Sequence, residues 1–205
     1  MKKGAWMLAF EWVWRIVSVN LGWIAFTILG LGIFGFFPAS VALFTIVRKW
    51  LKKDIDMPVW KTFATVYFKE WKRTNGIALI YYAIGMFLFI DIRIVMDLMN
   101  GMFSIFLLVF LYIVSCLVLL SVGYFFAIYV HYQLSIKDYI KQSFLFAATS
   151  ISTTIWIAAG LSLVIIVLFK VPGLLLFISG VAPAYWMMVV CMNRFRQLEK
   201  LAKPS

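Results

Sequence analysis

The sequence predicts an all-α polytopic membrane protein. It should have about six membrane-embedded helices (one of them short), two amphipathic cytoplasmic helices, and both termini in the cytoplasm. Three observations predict it. The 205 residues are 65% hydrophobic and 13% charged, with a mean hydropathy of +1.00, where soluble domains carry roughly a quarter charged residues. Apolar runs near the ~20 residues that cross a bilayer recur along the chain. They lie at about 16–36, 38–51, 76–95, 103–130, 145–169 and 173–192. Third, of the 19 Lys and Arg residues all but Arg93 and Lys170 fall before the first run, at or after the end of the second, after the fourth or after the last. Cytoplasmic loops collect basic residues. Pairing the runs one–two, three–four and five–six puts all the other basic groups inside and leaves Arg93 and Lys170 to mark the outer face. The net charge of +11 then reflects topology, and nucleic acid is not an expected partner. Residues 1–205 read as a single transmembrane domain, and no cleavable leader is expected because Glu11 and Arg15 interrupt the first apolar stretch.

The first pair contains the stretch Gly30–Pro38, with three glycines and a proline. Both residue types weaken helices. Arg15 and Arg48 must share a side, so the stretch is a hairpin tip at the outer face or a re-entrant tip, not a kink in one long helix. The first arm is long enough to span. The second, read as opening at Pro38, meets basic residues early and is expected to be short. Proline suits a first helical turn. Glu11 and Arg15 form a favourable i, i+4 pair. Asn20 lies one turn deeper, where an amide needs a neighbouring helix or the second-arm backbone as partner.

Between runs two and three, Trp60, Phe63, Tyr67 and Trp71 recur at helical spacing, with Lys61, Lys69, Lys72 and Arg73 off that stripe. An amphipathic helix on the inner membrane surface follows, with Trp60, Lys61, Phe63, Lys69, Lys72 and Arg73 as candidate contacts to a partner or to lipid. A second such helix is expected near 135–147. Ile136, Tyr139, Ile140 and Ser143 make its stripe, and Ser135 with Asp138 makes a capping box. These two segments share a basic–aromatic–Phe pattern, which hints at a weak internal repeat, 38–98 against 103–169. Pro38-Ala39 and Pro183-Ala184 echo each other, and Pro183, in mid-run, predicts a kink.

Ionisable groups in or near the membrane are few. Asp91, Arg93 and Asp97 form a candidate polar site at the outer face, with Arg93 and Asp97 spaced to pair. His131 is the single histidine, and Cys116 and Cys191 read as packing residues. Phosphate-loop, zinc-protease and nucleophile-elbow motifs are missing. The expectation is therefore a protein that is not an enzyme and needs no cofactor or metal.

The run Asn20-Leu21-Gly22-Trp23, the glycine-rich turn ending in Pro38-Ala39, and Ala42-Leu43 carry a resemblance. So do Val47-Arg48-Lys49 and the Trp60-Lys61-Thr62-Phe63 segment with Phe68. Together they resemble the YesL-like family of bacterial membrane proteins, a family of unknown function. The family's turn tends to read Thr-x-Gly-Pro-Ala, whereas Phe36-Phe37 precede Pro38 here. The resemblance implies a cytoplasmic-membrane protein of five or six helices. Its members are often encoded beside carbohydrate ABC importers, which implies an accessory role in sugar uptake with transporter subunits and the lipid bilayer as partners. A small stand-alone solute transporter is the alternative. Asn20, Trp23, Gly35, Pro38 and Pro183 are the candidate membrane positions.

Overall fold

The computed structural model describes residues 5–202. Lys2, Lys3 and Lys203, which enter the charge count, lie outside the described residues. No strand occurs among the described residues, and the helices are α1 (Ala5–Leu29), α2 (Ile33–Leu51), α3 (Val59–Leu98), α4 (Met102–His131), α5 (Ile136–Thr149), α6 (Ile151–Lys170), a 3-10 turn (Pro172–Leu174) running into α7 (Leu175–Ile178), and α8 (Val181–Ala202). Five are long and apolar enough to cross a membrane. A sixth candidate is the pair formed by residues 172–178 and 181–200, bent by 58°.

The described residues form two compact units, those up to 74 with those from 152 onward, and residues 75–151. In the first unit α2 is the central helix, buried at Gly35, from Phe37 through Phe44 and again at Ile46, Val47 and Trp50. It packs against α1 and α8. An apolar helix buried nearly all round belongs inside a bundle.

The hairpin expected around Gly30–Pro38 forms, but its turn lies earlier and its second arm is longer. Helix α1 ends with Leu31 in the left-handed region at φ 57°. The Gly32 amide donates to the Thr27 carbonyl and the Leu31 amide to that of Ile28, each at 2.9 Å. These are the two bonds of a Schellman stop, here without glycine at the left-handed position. Helix α2 then begins at Ile33 and encloses Pro38. It has 19 residues, about 28 Å at 1.5 Å per residue, so it is not a short arm opened by proline. Pro38 leaves only the Phe34 carbonyl without its i+4 donor. Gly35 serves packing: a Cβ there would collide with the backbone of Thr27 and Phe26. The far end of α2 stops as α1 does, with Lys53 left-handed at φ 67° and the Asp54 amide bonded to the Lys49 carbonyl at 3.0 Å.

The amphipathic segment 58–76 is not a separate surface helix. It is continuous with the next apolar run as the 40-residue α3. Gly76 does not interrupt it, because one exposed glycine costs a helix only about 1 kcal/mol. In the first unit the aromatic stripe packs along the second half of α1. Phe63 and Tyr67 meet the Phe26 ring at a tilt, with centroids 5.1 and 4.8 Å away, and the Tyr67 hydroxyl donates to the Phe26 carbonyl at 3.0 Å.

This packing separates the basic groups between the two ends of the hairpin. Lys69 and Lys72 share a groove with Leu29, at the tip of the α1–α2 hairpin, while Arg48, Lys49, Lys52 and Lys53 sit at the opposite end of α2. If the hairpin stands across the bilayer, its tip cannot be outside while the whole basic run from Arg48 to Arg73 is inside.

In the second unit α4 packs on α5, and Tyr81 of α3 shares a hydrogen bond of 2.9 Å with Ser121 of α4. Helix α5 starts as expected. Ser135 Oγ accepts from the Asp138 amide at 3.2 Å and donates to the Asp138 carboxylate at 2.6 Å. Tyr139 and Ser143 face inward.

Candidate functional site

The site is built on the middle of α1. Asn20 is fully buried and faces the break between α7 and α8. A broken helix leaves carbonyls unpaired at the end of one piece and amides unpaired at the start of the next. Both kinds of group need partners where water is absent. The Asn20 Nδ2 donates to the Leu176 carbonyl at 2.9 Å, with the Leu175 carbonyl and Ser179 Oγ each at 3.4 Å. Its Oδ1 accepts from the amides of Gly180 at 2.8 Å and Val181 at 3.1 Å. A carboxamide carries donors and an acceptor in one group, so one side chain splices both pieces. The amide partner expected from sequence is thus the last membrane segment, not the second arm.

Trp23 lies one turn along on the same face. Its Nε1 donates to Ser40 Oγ of α2 at 3.1 Å. Its ring rests on Gly180, where a Cβ would come within 2.7 Å of the indole. Asn20 and Trp23 together tie α1 to α2 and to the α7–α8 junction. The spacing Gly-x-x-Pro-Ala occurs twice, at Gly35–Ala39 and Gly180–Ala184. In each copy the glycine is where α1 approaches closely. Pro183 therefore does not kink the middle of a span. The bend is at Ser179–Gly180, and Pro183 occupies the first turn of α8, where its missing N–H costs nothing.

Beside this junction lies a cavity of about 530 Å³, within the ~300–1,000 Å³ typical of ligand pockets. Its walls come from Trp12 and Ile16 of α1, Trp50 of α2, Gly160, Leu163 and Val164 of α6, and the stretch from Ile178 to Trp186. Trp12 and Trp50 meet edge to face at 5.7 Å. Trp186 packs directly on Gly160, and its Nε1 donates to the Trp156 carbonyl at 2.8 Å. Arg15 anchors the same end of α1 to the α2–α3 loop through the Ile55 carbonyl at 2.5 Å and Asp56 at 3.5 Å, with its guanidinium 5.9 Å from the Trp12 ring.

The remaining candidates of the first unit do not line this cavity. On α3, Trp60, Lys61, Lys69, Lys72 and Arg73 are exposed, while Phe63 is buried inside the unit and offers no outward contact. In the second unit, Arg93 and Asp97 pair at 3.6 Å, both more than half exposed, with Asp91 half-buried beside them. Exposed pairs of this kind contribute little. Among the described residues no group of three His, Cys, Asp or Glu is placed to hold a metal ion. Sequence reasoning missed the cavity, whose walls come from four distant segments.

Fold and site define a class: a polytopic helical protein built from membrane-length apolar helices, whose last span is broken and spliced by a side chain of the first. Residues 16–92 match the family model described as "Protein of unknown function, DUF624". The chain is 33% identical to the "Uncharacterized protein YesL" of Bacillus subtilis (strain 168), over 92% of this chain and 88% of YesL. It is 33% identical to YteU of the same organism, over 84% and 78% of the two chains, and 30% identical to YesV, over 92% and 90%. The chain belongs to this DUF624 family. No solved structure matches it.

Proposed function

We propose that the protein is a non-enzymatic component of a bacterial cytoplasmic membrane that assists or regulates a carbohydrate ABC importer, with both termini inside. The sugar-uptake association comes from the family resemblance. One observation favours an accessory role over independent sugar transport: the chemistry of the cavity wall. A sugar site must pair hydroxyls with precisely placed donors and acceptors. The cavity offers mostly Leu, Ile, Val and Trp surface; the Trp186 N–H is already bonded within the protein, and the Trp50 N–H and the Tyr185 hydroxyl are too few polar groups to pair the hydroxyls of a sugar. The exposed face of α3 around Trp60, Lys61, Lys69, Lys72 and Arg73 is the surface offered to a partner. The orientation rests on the basic groups at the end of the first unit where α2 stops, which exceed those at the hairpin tip.

Affinity purification from native membranes tests this reading. An importer subunit should be enriched with the wild type and depleted when Lys69, Lys72 and Arg73 are replaced by glutamine. Purification that never enriches a transporter subunit would sink it. The second reading, a small stand-alone transporter, is favoured by the 58° break in the last span, because transporters build midplane sites from discontinuous helices. Solute flux in vesicles holding only this protein would establish that reading instead.

A further inference from the structure

We propose that the cavity between α1, α2, α6 and α8 is a binding site for an anionic phospholipid. One acyl chain would lie in the cavity and the headgroup would sit at the basic end of α2. The cavity is open-sided: Leu163, Tyr185 and Trp12 on its rim are 63%, 43% and 38% exposed. In a membrane-embedded chain, hydrocarbon meets that opening, and the walls match it in polarity.

Two features specify a lipid with an acceptor group and negative charge. Trp50 lines the cavity and is only 5% exposed, and its Nε1 is buried without a hydrogen-bond partner. A buried N–H normally finds an acceptor. Indoles favour the headgroup boundary, where a phospholipid carries ester carbonyls. Trp50 also sits among Arg48, Lys49, Lys52 and Lys53. The neighbouring acids are partly spent, Asp54 on Lys49 at 3.7 Å and Asp56 on Arg15 at 3.5 Å. Among the described residues Lys52 and Lys53 have no ion-pair partner, and both are exposed. A cationic pair two and three residues beyond Trp50, the unfilled N–H of that Trp and the apolar slot its side chain lines complement a lipid phosphate, its ester and its chain. Basic clusters beside membrane helices attract anionic lipid.

Native mass spectrometry of the full chain, extracted in mild detergent and supplied with equal phosphatidylglycerol and phosphatidylcholine, tests the site. The wild type should retain one phosphatidylglycerol at least fivefold over phosphatidylcholine. Ala182→Phe, which fills the slot from α8, should lower retention of both lipids at least fivefold. The double variant Lys52→Gln/Lys53→Gln should keep a lipid but lose the preference for phosphatidylglycerol. It leaves the cavity intact, so it reads the headgroup term even if Ala182→Phe fails to fold. Equal retention of the two lipids by the wild type would overturn the proposal. So would retention unchanged in both variants, or a dimer without lipid, which would assign the face to a second copy. Loss of importer co-purification would leave these results unaffected.

Discussion

Replacing Asn20 by leucine tests the splice across the broken helix. The side chains are close in volume, so packing changes little and the carboxamide is what is lost. Three short hydrogen bonds disappear, to the Leu176 carbonyl and to the amides of Gly180 and Val181. Side-chain bonds inside membrane proteins average about 0.6 kcal/mol, which sums to about 2 kcal/mol for three. Leaving buried backbone groups orphaned costs about 1–3 kcal/mol each. The bent geometry keeps all three from pairing with each other, so a loss of at least about 2 kcal/mol is expected. Asn20→Asp should be no better: its carboxylate keeps the acceptor, loses the donor to Leu176, and faces that carbonyl with a negative charge. The assay is equilibrium unfolding in mixed micelles, paired with hydrogen exchange. The amides of Gly180 and Val181 should lose protection in Asn20→Leu well before those of α2. A variant within about 0.5 kcal/mol of wild type, with unchanged exchange at residues 180 and 181, would refute the splice.

Two glycines should respond to the same substitution with opposite sign. Gly35→Ala drives a Cβ into the Thr27 and Phe26 backbone and should lower stability by about 1–3 kcal/mol, the range for overpacking. Gly76→Ala meets nothing within 4 Å in the interior of α3 and should raise stability by about 1 kcal/mol; thermal shift in detergent compares the two. Ser135→Ala removes the acceptor for the Asp138 amide and should cost about 1 kcal/mol, read as faster exchange in the first turn of α5 alone.

Composition and apolar run length were enough to read the helical membrane class, because burying backbone in hydrocarbon admits few alternatives. Local chemistry was legible as well. Ser135 and Asp138 announce their cap within four residues, and Asn20 announces a need for partners. The identity of those partners was not legible. Leu176 and Gly180 lie more than 150 residues away, and nothing local encodes such a contact. Turn position was misread for a related reason. Glycine and proline signal a break when only local preference is weighed. Gly35 instead provides close approach to α1 and Pro38 is carried inside α2, because packing on both sides of α2 outweighs one missing bond. Gly76 was passed over by α3 in the same way. The aromatic stripe of α3 had the right period, but its period could not say whether bilayer or α1 would cover it. Phe63 and Tyr67 found α1.

The splice also orders events in time. Asn20 is synthesised 155 residues ahead of Leu175. At ~5–20 residues per second that gap is roughly 8–30 s. During that interval α1 holds an unpaired amide in the membrane with its permanent partner not yet made. When α7 and α8 arrive, one side chain closes the first unit from its earliest span to its latest. Any chain truncated before residue 175 keeps that amide open, a mark by which membrane quality control could tell an unfinished copy from a finished one.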